Sequence, residues 1–134
     1  MDYNIWSGSD YNRDINDFNK RNMISSSPEW SYIGNRSIKG TKIGEEWADY
    51  TTEYMFDLDQ GNYLFSCNVY SPNASGKVFI FLEDSNTGIV EFSSSENVQS
   101  LSITINNHRI IGLRLFFGTL NNPVYLDNFS IISQ

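Results

Sequence analysis

The sequence predicts an all-β fold, a two-sheet antiparallel jelly-roll sandwich, and three observations carry that prediction. Apolar residues recur at every second position in eight or more short runs. Clusters of Gly, Pro, Asn and Asp separate the runs at regular intervals. No stretch carries the 3.6-residue periodicity of a helix long enough to matter. A jelly roll answers the two problems such a chain faces, burying one face of each strand and protecting the sheet edges.

The organising run is Asp59 to Tyr70. Gly61, between Asp59 and Asn62, supplies a cheap turn. Strict alternation follows, with Tyr63, Phe65, Cys67 and Val69 on one face and Leu64, Ser66, Asn68 and Tyr70 on the other. Pro72 ends it by removing a ladder donor. Turns at both ends and an apolar face predict a central strand.

Taken in order, residues 1–21 read as an extended N-terminal arm with Ile5, Trp6, Tyr11, Ile15 and Phe18 as spaced anchors. The arm fits wrapping of its own domain or docking on other subunits. The jelly-roll domain is expected over residues 22–134. Asn22 to Ile33 predicts two short strands about a turn at Pro28, with Trp30 in the core. Arg36 to Ile43 predicts a strand limited by Gly40 and Gly44. Trp47 to Leu58 predicts a strand with Tyr50, Thr52, Tyr54, Phe56 and Leu58 on one face and a wet side opposite, because threonine and aromatics favour β. Lys77 to Glu83, Ile89 to Phe92, Leu101 to Ile105, Ile110 to Phe117 and Val124 to Ile132 supply the remaining strands. Ser93 to Asn97 reads as a loop and Asn106-Asn107 as a turn.

Length and charge exclude several classes. One domain of 134 residues buries roughly two thirds of the surface its unfolded chain exposes. A net charge of −7 argues against nucleic acid and anionic membranes, which need clustered Lys and Arg. No run approaches the length of a membrane span, and no basic-then-apolar leader opens the chain. The single cysteine, Cys67, sits on the apolar face of the central strand and reads as a buried thiol.

A set of motifs resembles the galactose-binding-like jelly rolls that include many carbohydrate-binding modules, the group around families 4, 9, 16 and 22. The motifs are Trp30, Gly44 to Trp47, Phe56-Asp-Leu58, Gly61-x-Tyr63-x-Phe65-Ser66, Val78 to Leu82, Leu113-Arg-Leu-Phe-Phe117 and Val124-Tyr-Leu-Asp127-Asn128-Phe-Ser-Ile131, spanning about residues 22 to 132. The resemblance implies a non-catalytic module that binds glycans in a groove or at a loop edge, often with structural Ca2+. Asp127 matches a calcium-associated position, the alternative being that it accepts turn hydrogen bonds. The Asn-Gly-x-Phe-Glu segment that supplies further oxygens in many such modules is here Met23-Ile-Ser-Ser-Ser, which leaves a calcium site short of a carboxylate.

With Val69, Ile80, Leu115 and Leu126 pointing inward, alternation puts Asn68, Tyr70, Phe79, Phe81, Glu83, Arg114, Phe116 and Tyr125 outside, more aromatic surface than a solvated face needs. Sugar rings offer C–H faces to aromatics and hydroxyls to amide, carboxylate and guanidinium groups, so these residues are the candidate ligand site, joined by Trp47 if its indole stands at a loop edge rather than packing in the core. Burial under the arm or a subunit, or an inverted phase, remains the alternative. Catalysis has little material. His108 is the sole histidine, and the adjacent pairs Glu45-Glu46 and Glu83-Asp84 are expected to point apart along strands.

Two readings follow. One is a module binding polysaccharide or a cell-surface glycan, extracellular if part of a secreted protein. The other is a phage or virion structural protein, a capsid decoration or tail component, using the fold for assembly and host adhesion.

Overall fold

The computed structural model describes residues 2–3, 18–19 and 22–134. Its strands are β1 (Asp2–Tyr3), β2 (Ile24–Ser27), β3 (Ser37–Gly40), β4 (Thr51–Met55), β5 (Gly61–Ser71), β6 (Gly76–Leu82), β7 (Thr87–Phe92), β8 (Ser95–His108), β9 (Ile110–Phe117) and β10 (Val124–Ser133). They form two antiparallel sheets. One runs β2-β3-β10-β5-β8, with β1 added beside β10, and the other runs β4-β9-β6-β7. Among the described residues there is no α-helix, and the jelly-roll sandwich is the predicted one.

The Asp59 to Tyr70 run is an interior strand of the larger sheet, since β5 lies between β10 and the edge strand β8, and the central place falls to β10. The inward phase of four strands is as expected, since Val69, Ile80, Leu115 and Leu126 are all buried. Phe65, Ile38 and Ile131 from one sheet share a single core cluster with Val78, Leu113 and Phe117 from the other. Each such side chain, fully buried, contributes roughly 1.5–3 kcal/mol. Gly40 permits the closest approach: a Cβ there would lie 2.1 Å from the Phe117 ring. Cys67 is buried as predicted, and loss of solvation pushes its thiol pKa well up.

Five local expectations are corrected. Trp30 to Ile33 forms a loop rather than a second strand, because the Asp127 carboxylate accepts from the N–H groups of Tyr32 at 2.6 Å and Ile33 at 2.8 Å. Trp30 is therefore not core but half-buried on the outside of the larger sheet. The Trp47 to Leu58 segment opens with a 3-10 turn, Trp47–Asp49, boxed by Glu46 and Asp49, so its strand is shorter than predicted. β8 begins at Ser95 and runs through Asn106-Asn107, where Asn107 takes φ 59° and its N–H is held by Asn62. Asparagine tolerates that left-handed conformation, so the ladder bends instead of ending.

Of the arm, Phe18 is buried and packs on Tyr54 with ring centroids 5.5 Å apart, while Asn19 bonds to Glu53 and Thr52 at the rim of β4. The other anchors, Ile5, Trp6, Tyr11 and Ile15, lie outside the described residues.

Candidate functional site

The outer face of the smaller sheet is built by three cross-strand rows. Register places Glu53, Arg114, Phe79 and Ile89 side by side on β4, β9, β6 and β7. Phe116, Lys77 and Glu91 form the row on one side, and Met55, Gly112, Phe81 and Thr87 the row on the other. All are the outward phase of strands whose alternate residues fill the core. Tyr50 and Trp47 enter from the 3-10 turn that precedes β4.

These side chains form one continuous aromatic floor with a cation at its middle. Phe116 meets Tyr50 edge-on at 5.3 Å, Phe79 at 6.3 Å and Trp47 at 6.4 Å. The Arg114 guanidinium lies 4.8 Å from the centre of Phe81, 5.0 Å from Trp47 and 5.9 Å from Phe79. Glu53 accepts from its Nη2 at 3.0 Å. Its Nε is buried and has no hydrogen-bond partner among the described residues. Lys77 sits over Phe116 and Lys42 over Tyr50. Each cation has an acidic partner, with Lys77 3.5 Å from Glu91 and Lys42 3.4 Å from Glu45. The face is aromatic and close to neutral, and Trp47 is half exposed. Its chemistry is to stack against an apolar ring face while Glu53 and Arg114 bond to hydroxyls.

The predicted ligand residues divide. Trp47, Phe79, Phe81, Arg114 and Phe116 share this floor. Asn68, Tyr70 and Tyr125 belong to the other sheet, on the far side of the sandwich, so the expected single surface is two. The reason is topological: β5 and β10 belong to the larger sheet, and alternation fixes a side chain as outward without saying which layer it leaves. On that far face Trp30 stacks on Tyr70 at 5.6 Å, and Tyr70 lies beside Tyr125 at 6.1 Å. Tyr125 donates to Glu29 at 2.9 Å, and Lys39 pairs with Glu29 at 2.6 Å. The hydrogen bond from Lys39, with that from Tyr125, holds the Glu29 carboxyl below its usual range. Asn68 donates to Ser100 and accepts from Asn128.

Glu83 is on neither face. It follows β6 in a turn, where it approaches His108 Nδ1 at 3.1 Å while Asp84 approaches the same atom at 3.5 Å. The expectation that Glu83 and Asp84 point apart fails because they sit in a turn, not a strand. The hydrogen bond to His108 lowers the Glu83 pKa, and the Asn86 N–H lowers that of Asp84.

Asp127 is fully buried beside a bulge between Asp127 and Ser130, where Asn128 takes φ 57°. Besides the two N–H bonds to Oδ2, its Oδ1 accepts from Asn128 N–H at 2.7 Å. Three N–H donors take up three of the roughly four lone-pair directions of the carboxylate, in competition with a hard cation. Among the described residues, Asp127 belongs to no cluster of three His, Cys, Asp or Glu ligand atoms. This donor set does not fit a calcium centre.

Sequence reasoning missed Glu53 and Tyr50. Glu53 was legible as outward on its strand, but its cross-strand neighbour Arg114 is 61 positions away. Alternation groups Tyr50 with Thr52 and Tyr54 on the face opposite the wet side, and the 3-10 turn rotates it out.

No protein-family model matches the chain, and no curated protein sequence does. Solved structures do. The xylan-binding domain of a Paenibacillus barcinonensis protein, a family 22 carbohydrate-binding module, is 14% identical, with a TM-score of 0.61 over 99% of this chain and 92% of that one. The family 22 module joined to a xylanase domain of Clostridium thermocellum, complexed with xylohexaose, is also 14% identical, with a TM-score of 0.68. That match covers 100% of this chain and 29% of the larger one. A family 61 module complexed with β-1,4-galactotriose is 12% identical, with a TM-score of 0.62 over 85% and 84% of the two chains. The chain shares the jelly-roll sandwich fold of these modules, the fold that the sequence motifs implied.

Proposed function

We propose that this chain is a non-catalytic carbohydrate-binding module that holds a neutral glycan on the outer face of β4-β9-β6-β7. The observation carrying this reading is Arg114, centred on three aromatic rings and paired to Glu53, with Trp47 half exposed at the rim. An exposed aromatic floor with few, fixed polar groups suits a sugar chain, which is amphipathic in the same way. Paired charges favour a neutral ligand over a polyanion, and the net charge of −7 acts in the same direction. The solved structures complexed with xylohexaose and β-1,4-galactotriose support a polysaccharide partner.

The test is calorimetric titration of the chain with soluble xylan, β-1,4-galactan and mixed-linkage glucan. Binding to at least one, lost in Trp47→Ala and Arg114→Ala variants that keep the far-UV spectrum, is expected. Equal binding by the variants, or none to any neutral polysaccharide, would remove the proposal.

A further inference from the structure

The four edges of the sandwich are treated unequally. β2 is short, with four residues. β4 is met at its rim by Asn19, whose N–H donates to the Glu53 carbonyl and whose carbonyl accepts from Thr52. β7 has six residues and carries Glu91. β8 has fourteen residues, and among the described residues it pairs with β5 and with no other strand. From Asn97 to Asn107 it contains no charge, no proline and no glycine. Long unprotected edges of this composition template pairing with another strand, and folded proteins normally shorten, charge or cover them.

The residues of this edge are complementary to themselves. Ser100, Ser102 and Thr104 are exposed on the outer face, while Leu101 and Ile105 are buried and Ile103 packs against the core. In an antiparallel pairing of two copies centred on Ser102, Ser102 opposes itself, Ser100 opposes Thr104, and Leu101 opposes Ile103. Hydroxyls therefore meet hydroxyls on one side of the ladder and aliphatic groups meet aliphatic groups on the other, the pairs that stabilise sheets. No like charges are opposed, in a chain where 25 of 134 residues are charged.

We propose that β8 is the dimer interface of this protein, pairing antiparallel with β8 of a second copy about a two-fold axis through Ser102. The two larger sheets become one continuous sheet, and such a contact is isologous and closes on itself. With that axis perpendicular to the sheet, both smaller sheets lie on the same side. If the proposed function holds, the two aromatic floors then engage one polysaccharide together, and avidity strengthens binding without a new contact. The dimer itself stands without that reading.

Analytical ultracentrifugation of the full chain, with no glycan present, tests the interface separately from glycan binding. A concentration-dependent dimer is expected. Ser102→Lys, on an exposed side chain, opposes two cations at the axis and is expected to raise the dimer dissociation constant at least about tenfold with the thermal midpoint of the monomer unchanged. Ser102→Cys is expected to give a disulfide-linked dimer under air, since opposed residues in a ladder meet the required Cα separation and the native Cys67 is buried. A monomer at every concentration up to about 1 mM overturns the proposal. A dimer that survives Ser102→Lys and forms no crosslink in the Ser102→Cys variant overturns it equally.

Discussion

Arg114 and Glu53 face each other directly across the β4-β9 pair, 3.0 Å apart, and their ion pair fixes a guanidinium over the rings of Trp47 and Phe81. Both side chains are less than a third exposed, so neither can be removed without affecting the other. Glu53→Gln keeps the length and one acceptor but discharges the partner of the cation. It is expected to weaken glycan binding about tenfold while the fold persists, and Arg114→Ala to weaken it more, because the floor loses its central donor. Calorimetry beside thermal melts separates the two effects. A Glu53→Gln variant with full affinity would take the pair out of the site.

The two tryptophans on opposite faces give a cleaner contrast. Trp47 is 50% exposed, so truncating it removes little packing. Trp47→Ala is expected to lower affinity about tenfold to a hundredfold with a stability loss under about 1 kcal/mol. Trp30 stacks on Tyr70 and lies against Tyr125. Trp30→Ala is expected to lower stability by about 1–3 kcal/mol and leave affinity unchanged. Denaturant titration and glycan titration of both variants check the pair, and the reverse pattern would move the site to the other sheet.

Comparison of these faces shows where sequence reasoning reaches its end. Alternation about Val69, Ile80, Leu115 and Leu126 correctly gives the core-facing side of each strand, because burial of one strand face is a local pattern, but Asn68 and Tyr125 on the opposite phase are buried as well. It could not assign Tyr70 and Tyr125 to one layer and Phe79 and Phe116 to the other, because layer membership is set by which strands pair. The same limit hid the Glu53–Arg114 contact and the Asp127 bond to Tyr32, which spans 95 positions. Trp30 read as core for its apolar neighbours, yet the loop bound by Asp127 places it outside. The spacing of Leu126, Phe129 and Ile131, three then two, was a legible trace of the β10 bulge.

Gly40 is a packing constraint of a different kind, because its φ is unremarkable and the obstacle is the Phe117 ring, 2.1 Å from where a Cβ would sit. Phe117 is almost fully buried and cannot swing outward. Gly40→Ala is expected to destabilise by about 1–3 kcal/mol through overpacking. Urea denaturation reads it directly, and because Phe117 faces the core rather than the aromatic floor, glycan affinity of the folded variant is expected to stay at the wild-type value.

Asp127 couples the fold to pH with a sign opposite to that of its exposed counterparts. Burial raises its pKa above the usual aspartate value, although the N–H donors of Ile33, Asn128 and Tyr32 pull it back. The native state therefore binds this proton more tightly than the unfolded chain. The contribution of Asp127 to stability grows as pH falls through its raised pKa and is lost as pH rises again. Glu29, Glu83 and Asp84 are lowered instead, so their contributions are present above their unfolded values and lost on acidification. Asp127→Asn removes the one opposing contribution among these four and turns an N–H donor toward another N–H. It is expected to cost about 1–3 kcal/mol near neutrality, and to leave a steeper loss of stability between about pH 6 and pH 3 than the wild type shows. Urea midpoints across that range, with and without a calcium chelator, check both this and the misfit of calcium to Asp127. A wild-type midpoint that falls on chelation would show that a cation, not the three N–H groups, completes the carboxylate.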